Sequence, residues 1–392
     1  MIFPWRMNQS GVIRSVNSAM TRRSFLLRGA GVFSALALES VLPGCSECLF
    51  SSEGGAFRRE ARHWRPLGNS QVQCRLCPHE CVLGPGDRGM CRVRENIGGR
   101  LYTLVYSRLA AVHIDPIEKK PFNHFLPGSA ALSVATAGCN LRCRFCQNWQ
   151  LSQSRPEDIT AREVSPEGLS GLAKRNSSPI IAFTYNEPTV QFEYVVDAAR
   201  EAKRRSLRPV VVSSGYIRPP AGREFAQVLD GIKIDLKAFT ERFYRDICGA
   251  SLRDVLRNLE VVKSSGTWLE IVVLVIPTLN DSPGEIRKMT RWVAQNLGPD
   301  VPMHFTRFHP LYLMRNIQPT PVRTLERCRE IAVAEGIRYA YVGNLPGHRW
   351  EHTYCHSCGR IVIRRSGIFA TQNLLRNGRC PHCSTAIPGV WI

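Results

Sequence analysis

The sequence lacks the features that mark several simple classes of protein. It has no internal repeat at the period of solenoid proteins. It also has no run of five or six basic residues, although 52 Lys and Arg outnumber 32 Asp and Glu and give a formal net charge of +20. This excess permits an acidic partner, but it is spread along the chain and is not combined with aromatic-rich basic motifs. We therefore expect no nucleic acid as a partner.

The N-terminal region lacks an apolar run long enough to cross a bilayer, which takes roughly 20 residues. Within it, residues 20–45 resemble a twin-arginine export signal, because Arg22 and Arg23 precede a modestly apolar run. The run ends in "LPGC" at Cys45, which is similar to a lipobox. We expect residues 1–69 to be this leader and a polar linker, and the signal suggests export to the periplasm or to the membrane face.

The rest of the chain does not have the pattern of a small disulfide scaffold. Most of its 15 cysteines fall into clusters with gaps of two or three residues, which is the spacing of metal sites. Cys248 and Cys328 lie apart from these clusters in helical patterns. We interpret these two cysteines as buried small hydrophobic residues.

From about residue 131 the chain alternates between apolar runs and longer amphipathic stretches. This alternation predicts an α/β fold with parallel strands and right-handed crossovers, in a partial or closed TIM-like (βα) barrel over residues 131–348. The carboxyl ends of the strands carry the active site in such a barrel. The polar groups at these ends therefore predict a single site, built from the three-cysteine loop, Tyr185-Asn186-Glu187-Pro188, Ser213-Ser214-Gly215, Asp235-Leu236-Lys237, Thr278-Leu279-Asn280-Asp281 and His309-Pro310.

The loop "TAGCNLRCRFCQNWQ", residues 136–150, holds Cys139, Cys143 and Cys146 and lacks a fourth cysteine. A disulfide would leave one thiol over. A structural zinc site would need a fourth ligand, which the neighbouring Asn and Gln side chains supply poorly. Three thiolates on a four-iron cluster leave one iron without a protein ligand, and a substrate can chelate that iron through an amine and a carboxylate.

This C-x3-C-x2-C loop after a first barrel strand, with Phe145 before its last cysteine, resembles the radical S-adenosylmethionine (SAM) superfamily. The resemblance implies that Cys139, Cys143 and Cys146 bind a [4Fe–4S] cluster whose open iron takes the amine and carboxylate of SAM. It further implies reductive cleavage of SAM to a 5′-deoxyadenosyl radical that abstracts a hydrogen atom from a substrate. A reductant such as ferredoxin or flavodoxin is then an expected partner.

The same resemblance implies cofactor contacts on the neighbouring strands. Glu187 stands where the superfamily has an acidic group that holds the SAM amine. Ser213, Ser214 and Gly215 are placed to contact the ribose or the methionyl end, and the glycine permits close backbone approach. Together with Phe145, these residues are the first part of the expected SAM-binding set.

The second part of the expected set lies on the later strands. Asp235 and Lys237 in "IDLK" resemble a motif of glycyl-radical-enzyme activases, in which the aspartate helps to hold a monovalent cation beside the SAM carboxylate. The sequence departs from those activases at Val212, which occupies the place of a second acidic ligand. His309 in "RFHP" is a further candidate contact for the SAM carboxylate.

Two further groups contain four cysteines each. Cys355, Cys358, Cys380 and Cys383 form two C-x2-C pairs that are 21 residues apart. This is the spacing of a zinc ribbon or rubredoxin-like site, and four thiolates saturate a structural metal. We therefore expect residues 349–392 to be a zinc-ribbon-like module.

The earlier group, Cys74, Cys77, Cys81 and Cys91, defines an N-terminal cysteine-rich module at residues 70–130. It fits either Zn²⁺ or an auxiliary four-iron cluster, and the spacing does not decide between them. A zinc ion would be a scaffold, whereas a cluster would relay electrons. A structural metal such as zinc is slightly favoured by the sequence alone.

With both modules in place, residues 70–392 resemble the radical SAM enzyme family of the AmmeMemoRadiSam system, through the segments "CRLCPHEC", "GMCRVREN", "LYTLVYSRLAAVHIDPIEKKPFNHFLPGS", "GCNLRCRFCQNW", "TYNEPT", "FHP" and "YVGNLPGH". The resemblance implies Memo-like and AMMECR-like partner proteins. Related enzymes, such as the pyruvate formate-lyase-activating enzyme, make activation of a glycyl radical enzyme an alternative function. A non-catalytic metal- or nucleic-acid-binding protein is a second alternative. Because SAM and strong reductants are cytoplasmic supplies, catalysis is expected in the cytoplasm despite the export-like leader.

Overall fold

Residues 57–392 of the chain are described by a computed structural model. The leader-like segment 20–45 and Cys45 lie outside these residues. The described part has the α/β architecture expected from the sequence, with a parallel sheet that is preceded and followed in the chain by a small cysteine-rich module. Within the same residues, no helix is both long and apolar enough to cross a membrane.

Seven short strands precede the main sheet. Six of them form two small antiparallel sheets, with the strand orders β1-β6-β5 and β2-β3-β4. The first cysteine quartet lies in and after the second of these sheets. The strands are β1 (Arg59–Glu60), β2 (Trp64–Gly68), β3 (Gln71–Cys74), β4 (Val82–Leu83), β5 (Arg94–Ile97), β6 (Arg100–Thr103) and β7 (Arg108–Leu109).

The main sheet has eight strands in the order β16-β15-β14-β13-β12-β11-β9-β8. Its strands are short and almost completely buried, as is usual for parallel strands covered on both faces. All neighbouring pairs from β9 to β16 are parallel, and β8 is antiparallel to β9. The eight strands are β8 (Ala111–Pro116), β9 (Ala130–Ala135), β11 (Ile180–Phe183), β12 (Arg208–Ser213), β13 (Gly231–Asp235), β14 (Trp268–Val275), β15 (Met303–Arg307) and β16 (Ala340–Gly343). Strand β10 (Arg162–Glu163) lies outside this sheet and pairs with β7.

The end strands β8 and β16 of this sheet do not pair with each other within residues 57–392. The parallel strands follow one another in chain order, which is the order of a βα barrel. The expected barrel is therefore a partial one.

The helices connect successive strands. Two of them begin at a Ser-Pro pair, in which the serine hydroxyl accepts a backbone N–H and the proline provides the first helical residue. Ser165 accepts from Gly168 at 3.0 Å and Ser282 from Glu285 at 3.3 Å. The helices are α1 (Trp149–Ser152), α2 (Pro166–Arg175), α3 (Phe192–Arg204), α4 (Pro219–Val228), α5 (Glu241–Phe243), α6 (Leu252–Ser264), α7 (Pro283–Asn296) and α8 (Val322–Ala334).

The boundary between the first module and the barrel differs from the expected position at residue 130. Strand β8 pairs with β9 along its whole length, from Ala111 opposite Ala135 to Pro116 opposite Ala130. Strand β8 (Ala111–Pro116) and its connection to β9 therefore belong to the barrel. The alternation of strands and helices could not reveal this, because β8 is an antiparallel edge strand that no regular helix follows.

The connection between β8 and β9 closes the amino-terminal end of the barrel. Phe122 and Phe125 are fully buried against the first residues of β9, β11 and β12. Val390 pairs with Phe125, and its carbonyl accepts the backbone N–H of Leu126 at 2.7 Å. The last residues of the chain thus complete this barrel floor.

The C-terminal module is a three-stranded antiparallel sheet that packs on β16. Its strands are β17 (Thr353–Tyr354), β18 (Ile361–Ser366) and β19 (Phe369–Asn373). Its small core combines Val362 and Ile363 of β18 with Tyr341 of β16 and with two of its cysteines. The module is therefore continuous with the barrel core.

His124 links the barrel floor to this module. Its Nδ1–H donates to the carbonyl of Pro388 at 2.6 Å, and its Nε2 accepts from the hydroxyl of Tyr341 at 2.6 Å. Its backbone N–H donates to the buried carboxylate of Glu270 at 2.8 Å. Burial lowers the pKa of His124 to about 4. The ring is therefore neutral in the folded protein at neutral pH.

This histidine should make stability depend on pH between about 4 and 6.5. In that range the unfolded chain binds a proton that the folded chain excludes, so the free energy of unfolding falls as the pH falls, by on the order of 3 kcal/mol in total. We expect His124→Gln to be less stable than the wild type at pH 7 and to lose less stability on acidification. Thermal unfolding at several pH values measures both effects.

The control for this experiment is His309→Gln, since His309 is an exposed histidine. That variant should be as stable as the wild type at pH 7, because the side chain it changes is at the surface. If His124→Gln loses as much stability between pH 6.5 and 4 as the wild type, His124 is not the group that titrates.

Candidate functional site

The three-cysteine loop begins directly after β9. Cys143 is 8% exposed, and Cys139 and Cys146 are half-buried. The pKa of Cys139 is raised well above its usual value, first by burial and then by the carboxylate of Glu187 and the thiols of the other two cysteines. The Glu187 carboxylate and the other two thiols therefore lie near the Cys139 thiol. This thiol stays protonated until a metal displaces its proton.

The backbone of this loop is fixed by a short π-helical turn, Tyr244–Cys248, which continues α5. The N–H of Arg142 donates to the carbonyl of Cys248 at 2.7 Å, and the N–H of Arg144 donates to the carbonyl of Ile247 at 3.1 Å. π-helical turns are rare and often occur at functional sites. Here the turn supplies carbonyl groups at the positions that the cysteine loop requires.

Cys248 itself is fully buried, in agreement with its interpretation as a small hydrophobic residue. Its side chain is also hydrogen-bonded to Cys143, and this bond lowers the pKa of Cys143. The sequence gives no sign of this contact, because the two cysteines are far apart in the chain. Cys328 is buried in α8 and has the role that its pattern indicates.

On its other side, the loop touches the N-terminal module. Gly138 has φ +86°, and a Cβ at this position would lie 2.5 Å from Val93 Cγ1 and 2.6 Å from the carbonyl oxygen of Cys91. His79 Nε2 lies 2.7 Å from the carbonyl oxygen of Asn140. The cysteine loop and the first cysteine quartet therefore lie on adjoining backbone segments.

Glu187 occupies a buried position at the end of β11 and is 3% exposed. Its carboxylate accepts five hydrogen bonds. The donors are the backbone N–H (3.1 Å) and hydroxyl (2.7 Å) of Thr189, the hydroxyl of Ser213 (2.6 Å), and the backbone N–H (2.7 Å) and hydroxyl (2.7 Å) of Ser214. The structure thus brings Glu187, Ser213 and Ser214 together, as the sequence predicts.

Gly215 continues this cluster, since its N–H donates to Ser213 Oγ at 3.0 Å and its φ is +72°. A carboxylate offers about four lone-pair positions, and the five present donors already use them. An ammonium group can therefore bind Glu187 only if a hydroxyl of Ser213 or Ser214 turns away.

Asp235 and Lys237 lie at the end of β13, close to the cysteine loop. Lys237 Nζ is 3.3 Å from Asp235 Oδ2 and 5.7 Å from the centre of the Phe145 ring. Burial alone would lower the pKa of Lys237, but the negative charges of Asp235 and Cys143 raise it well above its usual value. Lys237 is therefore a buried cation between the aspartate and the thiols.

Lys233 is a further charged residue that sequence reasoning missed. Its side chain is 5% exposed, and its ammonium forms an ion pair with Asp235 Oδ1. Lys233 lies beside Val212 in the sheet, and Val212 is the position at which the sequence departs from the activase motif. The alternation in "GIKIDLK" places Lys233, Asp235 and Lys237 on one face of the strand, and this signal could have identified it.

His309 lies two residues beyond β15 and is exposed, whereas the other expected SAM contacts are buried or half-buried. Phe145 is 6% exposed and packs against Phe243. The structure therefore places Phe145 with the buried site and His309 at the surface.

The C-terminal cysteine quartet is compact. The sulfurs of Cys355 and Cys383 are 3.6 Å apart, those of Cys358 and Cys380 are 3.7 Å apart, and all four lie within 4.8 Å of one another. This arrangement suits one tetrahedrally bound metal ion. His356 is not needed as a ligand, since its Nδ1 lies 2.7 Å from the hydroxyl of Tyr339.

The contact at Gly138 predicts a strong effect of a very small substitution. Gly138→Ala should push the cysteine loop away from the N-terminal module, because the new methyl group overlaps Val93 and the Cys91 carbonyl. We expect this variant to bind less iron per chain than the wild type after anaerobic reconstitution, because the three thiols of the loop are displaced from their places.

Gly298→Ala is the matched control, because Gly298 has φ +92° and a methyl group added there would meet no atom within 4 Å. Both substitutions carry the backbone cost of a positive φ, about 1 kcal/mol. The control should therefore keep its iron. Equal iron contents in the two variants would contradict the role of this contact.

Comparison with known proteins agrees with this geometry. Residues 133–291 match the family model of the radical SAM superfamily. The chain is 40% identical over 332 residues to the uncharacterized protein MJ0808 of Methanocaldococcus jannaschii, a match that covers 84% of this chain and 98% of that protein. It is 24% identical over 181 residues to the pyruvate formate-lyase-activating enzyme of Clostridium pasteurianum, over 44% of this chain and 73% of that enzyme.

Among solved structures, SuiB of Streptococcus suis bound to S-adenosylmethionine aligns with a TM-score of 0.45 and 14% identity, over 61% of this chain and 56% of that chain. Residues 133–291, which match the radical SAM family model, include the three-cysteine loop, Glu187 and the ends of β12 and β13. The chain therefore belongs to the radical SAM superfamily of enzymes, in the same family as MJ0808.

Proposed function

We propose that Cys139, Cys143 and Cys146 bind a [4Fe–4S] cluster and that SAM completes the coordination of its open iron. The observation that carries this proposal is that the three-cysteine loop and the buried Glu187 carboxylate follow the carboxyl ends of the adjacent parallel strands β9 and β11, with Glu187 near the Cys139 thiol. When bound, the reduced cluster and SAM supply a 5′-deoxyadenosyl radical that abstracts a hydrogen atom from the substrate.

The residues present fit these cofactors in charge. A cluster with three thiolate ligands adds negative charge to a buried site, and Lys237 provides a buried cation beside Cys143. Lys237 is held in place by Asp235 and by the face of Phe145. The chain thus offsets part of the charge that the cluster brings.

The site also has polar groups available for SAM. Within residues 57–392, Asn140 Oδ1 and Gln191 Oε1 are buried and have no hydrogen-bond partner in the protein. Asn140 follows Cys139 directly, and Gln191 donates to the side chain of Asn186, beside Glu187. Buried acceptors without partners are costly. We infer that donor groups of SAM satisfy them, while Glu187 accepts the SAM ammonium.

A second candidate is activation of a glycyl radical enzyme, which the similarity to a pyruvate formate-lyase-activating enzyme favours. The Lys233–Asp235 ion pair distinguishes this chain from the activase pattern described above. Co-incubation with a glycyl radical enzyme of the same genome, followed by electron paramagnetic resonance, separates the two candidates. A glycyl radical signal supports the activase, and 5′-deoxyadenosine formation without that signal supports another substrate.

The proposed partners follow from the chemistry and from the family resemblance. Each reductive cleavage of SAM consumes one electron, which a ferredoxin or flavodoxin supplies. Memo-like and AMMECR-like proteins are the proposed protein partners, and we propose that catalysis takes place in the cytoplasm. Measuring whether SAM is consumed or recycled, with and without a Memo-like protein, tests the proposed partnership with that protein.

The cluster assignment predicts the effect of removing one thiol. Under anaerobic conditions with dithionite and SAM, the wild type should form 5′-deoxyadenosine. Cys143→Ala should form none above background, because the cluster loses one of three ligands. Cys328→Ala, which removes a buried cysteine from α8, should retain wild-type activity. The assignment is wrong if Cys143→Ala forms as much 5′-deoxyadenosine as the wild type.

The hydrogen bonds of Glu187 predict opposite effects of two substitutions on SAM binding. Glu187→Gln replaces the carboxylate by a neutral amide and should weaken SAM binding roughly tenfold to a hundredfold, since hydrogen bonds to charged groups contribute about 1.5–3 kcal/mol. Ser214→Ala removes a competing donor and should preserve or increase the affinity. Equilibrium binding of SAM to the reconstituted variants measures both. Equal losses in the two variants would show that Glu187 acts only as a structural acceptor.

A further inference from the structure

We propose that the N-terminal quartet, Cys74, Cys77, Cys81 and Cys91, holds a second four-iron cluster and not a zinc ion. These four cysteines line one small cavity, which lies between the small β2-β3-β4 sheet and the three-cysteine loop. Cys74 ends β3, Cys77 and Cys81 lie between β3 and β4, and Cys91 lies between β4 and β5. The proposal reverses the slight preference for zinc that the spacing alone suggests.

The first argument is the separation of the sulfur atoms. Zinc binds thiolate at about 2.3 Å in a tetrahedron, which places the sulfurs about 3.8 Å apart. The C-terminal quartet has this geometry, with Sγ–Sγ distances of 3.6 and 3.7 Å. Within residues 57–392, it is the one group of three or more His, Cys, Asp or Glu side chains whose ligand atoms all lie within 4.8 Å of one another.

The N-terminal quartet is therefore more open than a zinc site, because no three of its sulfurs meet that limit. The loop of Cys139, Cys143 and Cys146 is open in the same way. A four-iron cluster binds each thiolate through a different iron at its outer corners, so its ligands stand farther apart than those of a single ion. The N-terminal quartet thus resembles the proposed cluster loop and differs from the compact quartet.

The second argument is the set of donors that face these sulfurs. Arg94 is 1% exposed, and its Nη1 donates to Cys74 Sγ at 3.7 Å. Glu193 holds the other end of the same guanidinium in a buried ion pair. The backbone N–H of Met90 donates to Cys81 Sγ at 3.4 Å. Hydrogen bonds to cluster sulfurs and nearby charge set the reduction potential of an iron–sulfur centre.

The third argument is position. Asn140 and Thr189 line the same cavity as the quartet. Asn140 is the neighbour of Cys139 in the chain, and Thr189 donates two hydrogen bonds to Glu187. The cavity therefore shares a wall with the proposed SAM site. Its mouth includes Met90, which is 45% exposed. A second cluster here would lie between the protein surface and the first cluster.

The test is the metal content of the triple variant Cys139→Ala/Cys143→Ala/Cys146→Ala, which keeps both quartets intact. After anaerobic reconstitution with ferrous iron and sulfide, we expect about four irons and four acid-labile sulfides per chain. Reduction with dithionite should give the electron paramagnetic resonance signal of a reduced four-iron cluster. Both the sulfide and the signal should disappear when the triple variant also carries Ser in place of Cys74, Cys77, Cys81 and Cys91.

Two results together would overturn the proposal: the triple variant contains no labile sulfide, and it still binds zinc after the C-terminal quartet has also been substituted. If the variants do not fold, the wild type decides, because it should contain about eight irons and eight labile sulfides per chain for two clusters and about four of each for one. These measurements do not depend on the proposed SAM chemistry. Wild-type protein that holds two clusters but forms no 5′-deoxyadenosine would leave this inference intact and disprove the proposed function.

Discussion

The parallel ladder of hydrogen bonds between β9 and β13 is the constraint on which the site depends. Val134 of β9 lies opposite Phe183 of β11, which lies opposite Val211 of β12. Because these strands run in the same direction and are nearly level, their carboxyl ends deliver the cysteine loop, the glutamate, the serines and the aspartate to one edge. A slip of one residue in β12 or β13 would turn Ser213 or Asp235 to the opposite face of the sheet.

Much of this arrangement can be predicted from the sequence. The cysteine spacing, the alternation of strands and helices, and the polar residues after each strand are local patterns, and the structure places the cysteine loop, Glu187 and Ser213-Ser214 after or at the carboxyl ends of adjacent strands, as these patterns indicate. Local patterns report the order of elements and the residues at their ends. Both are sufficient to locate the site in a fold whose strands follow one another in chain order.

The remaining features depend on contacts between distant segments. The side chain of Cys248 is hydrogen-bonded to that of Cys143. Cys248 ends a π-helical turn that has no clear sequence signature. Arg94 is a buried cation because it pairs with Glu193 and faces Cys74. The saturation of the Glu187 carboxylate depends on hydroxyl orientations on a neighbouring strand. The spacing of residues along the chain does not determine the distances between these side chains. It also does not determine the distances between sulfur atoms, which differ between the two cysteine quartets.

The closure of the barrel floor by the end of the chain has a consequence for biosynthesis. Val390 exchanges backbone hydrogen bonds with the segment at His124 and Leu126, between the first two strands of the main sheet. Chains fold as they are synthesised, with earlier domains first, but this floor cannot be completed until residue 390 has left the ribosome. The cysteine loop at the opposite end of the barrel is translated long before that moment. All residues of the site are therefore translated before the segment that closes the opposite end of the barrel.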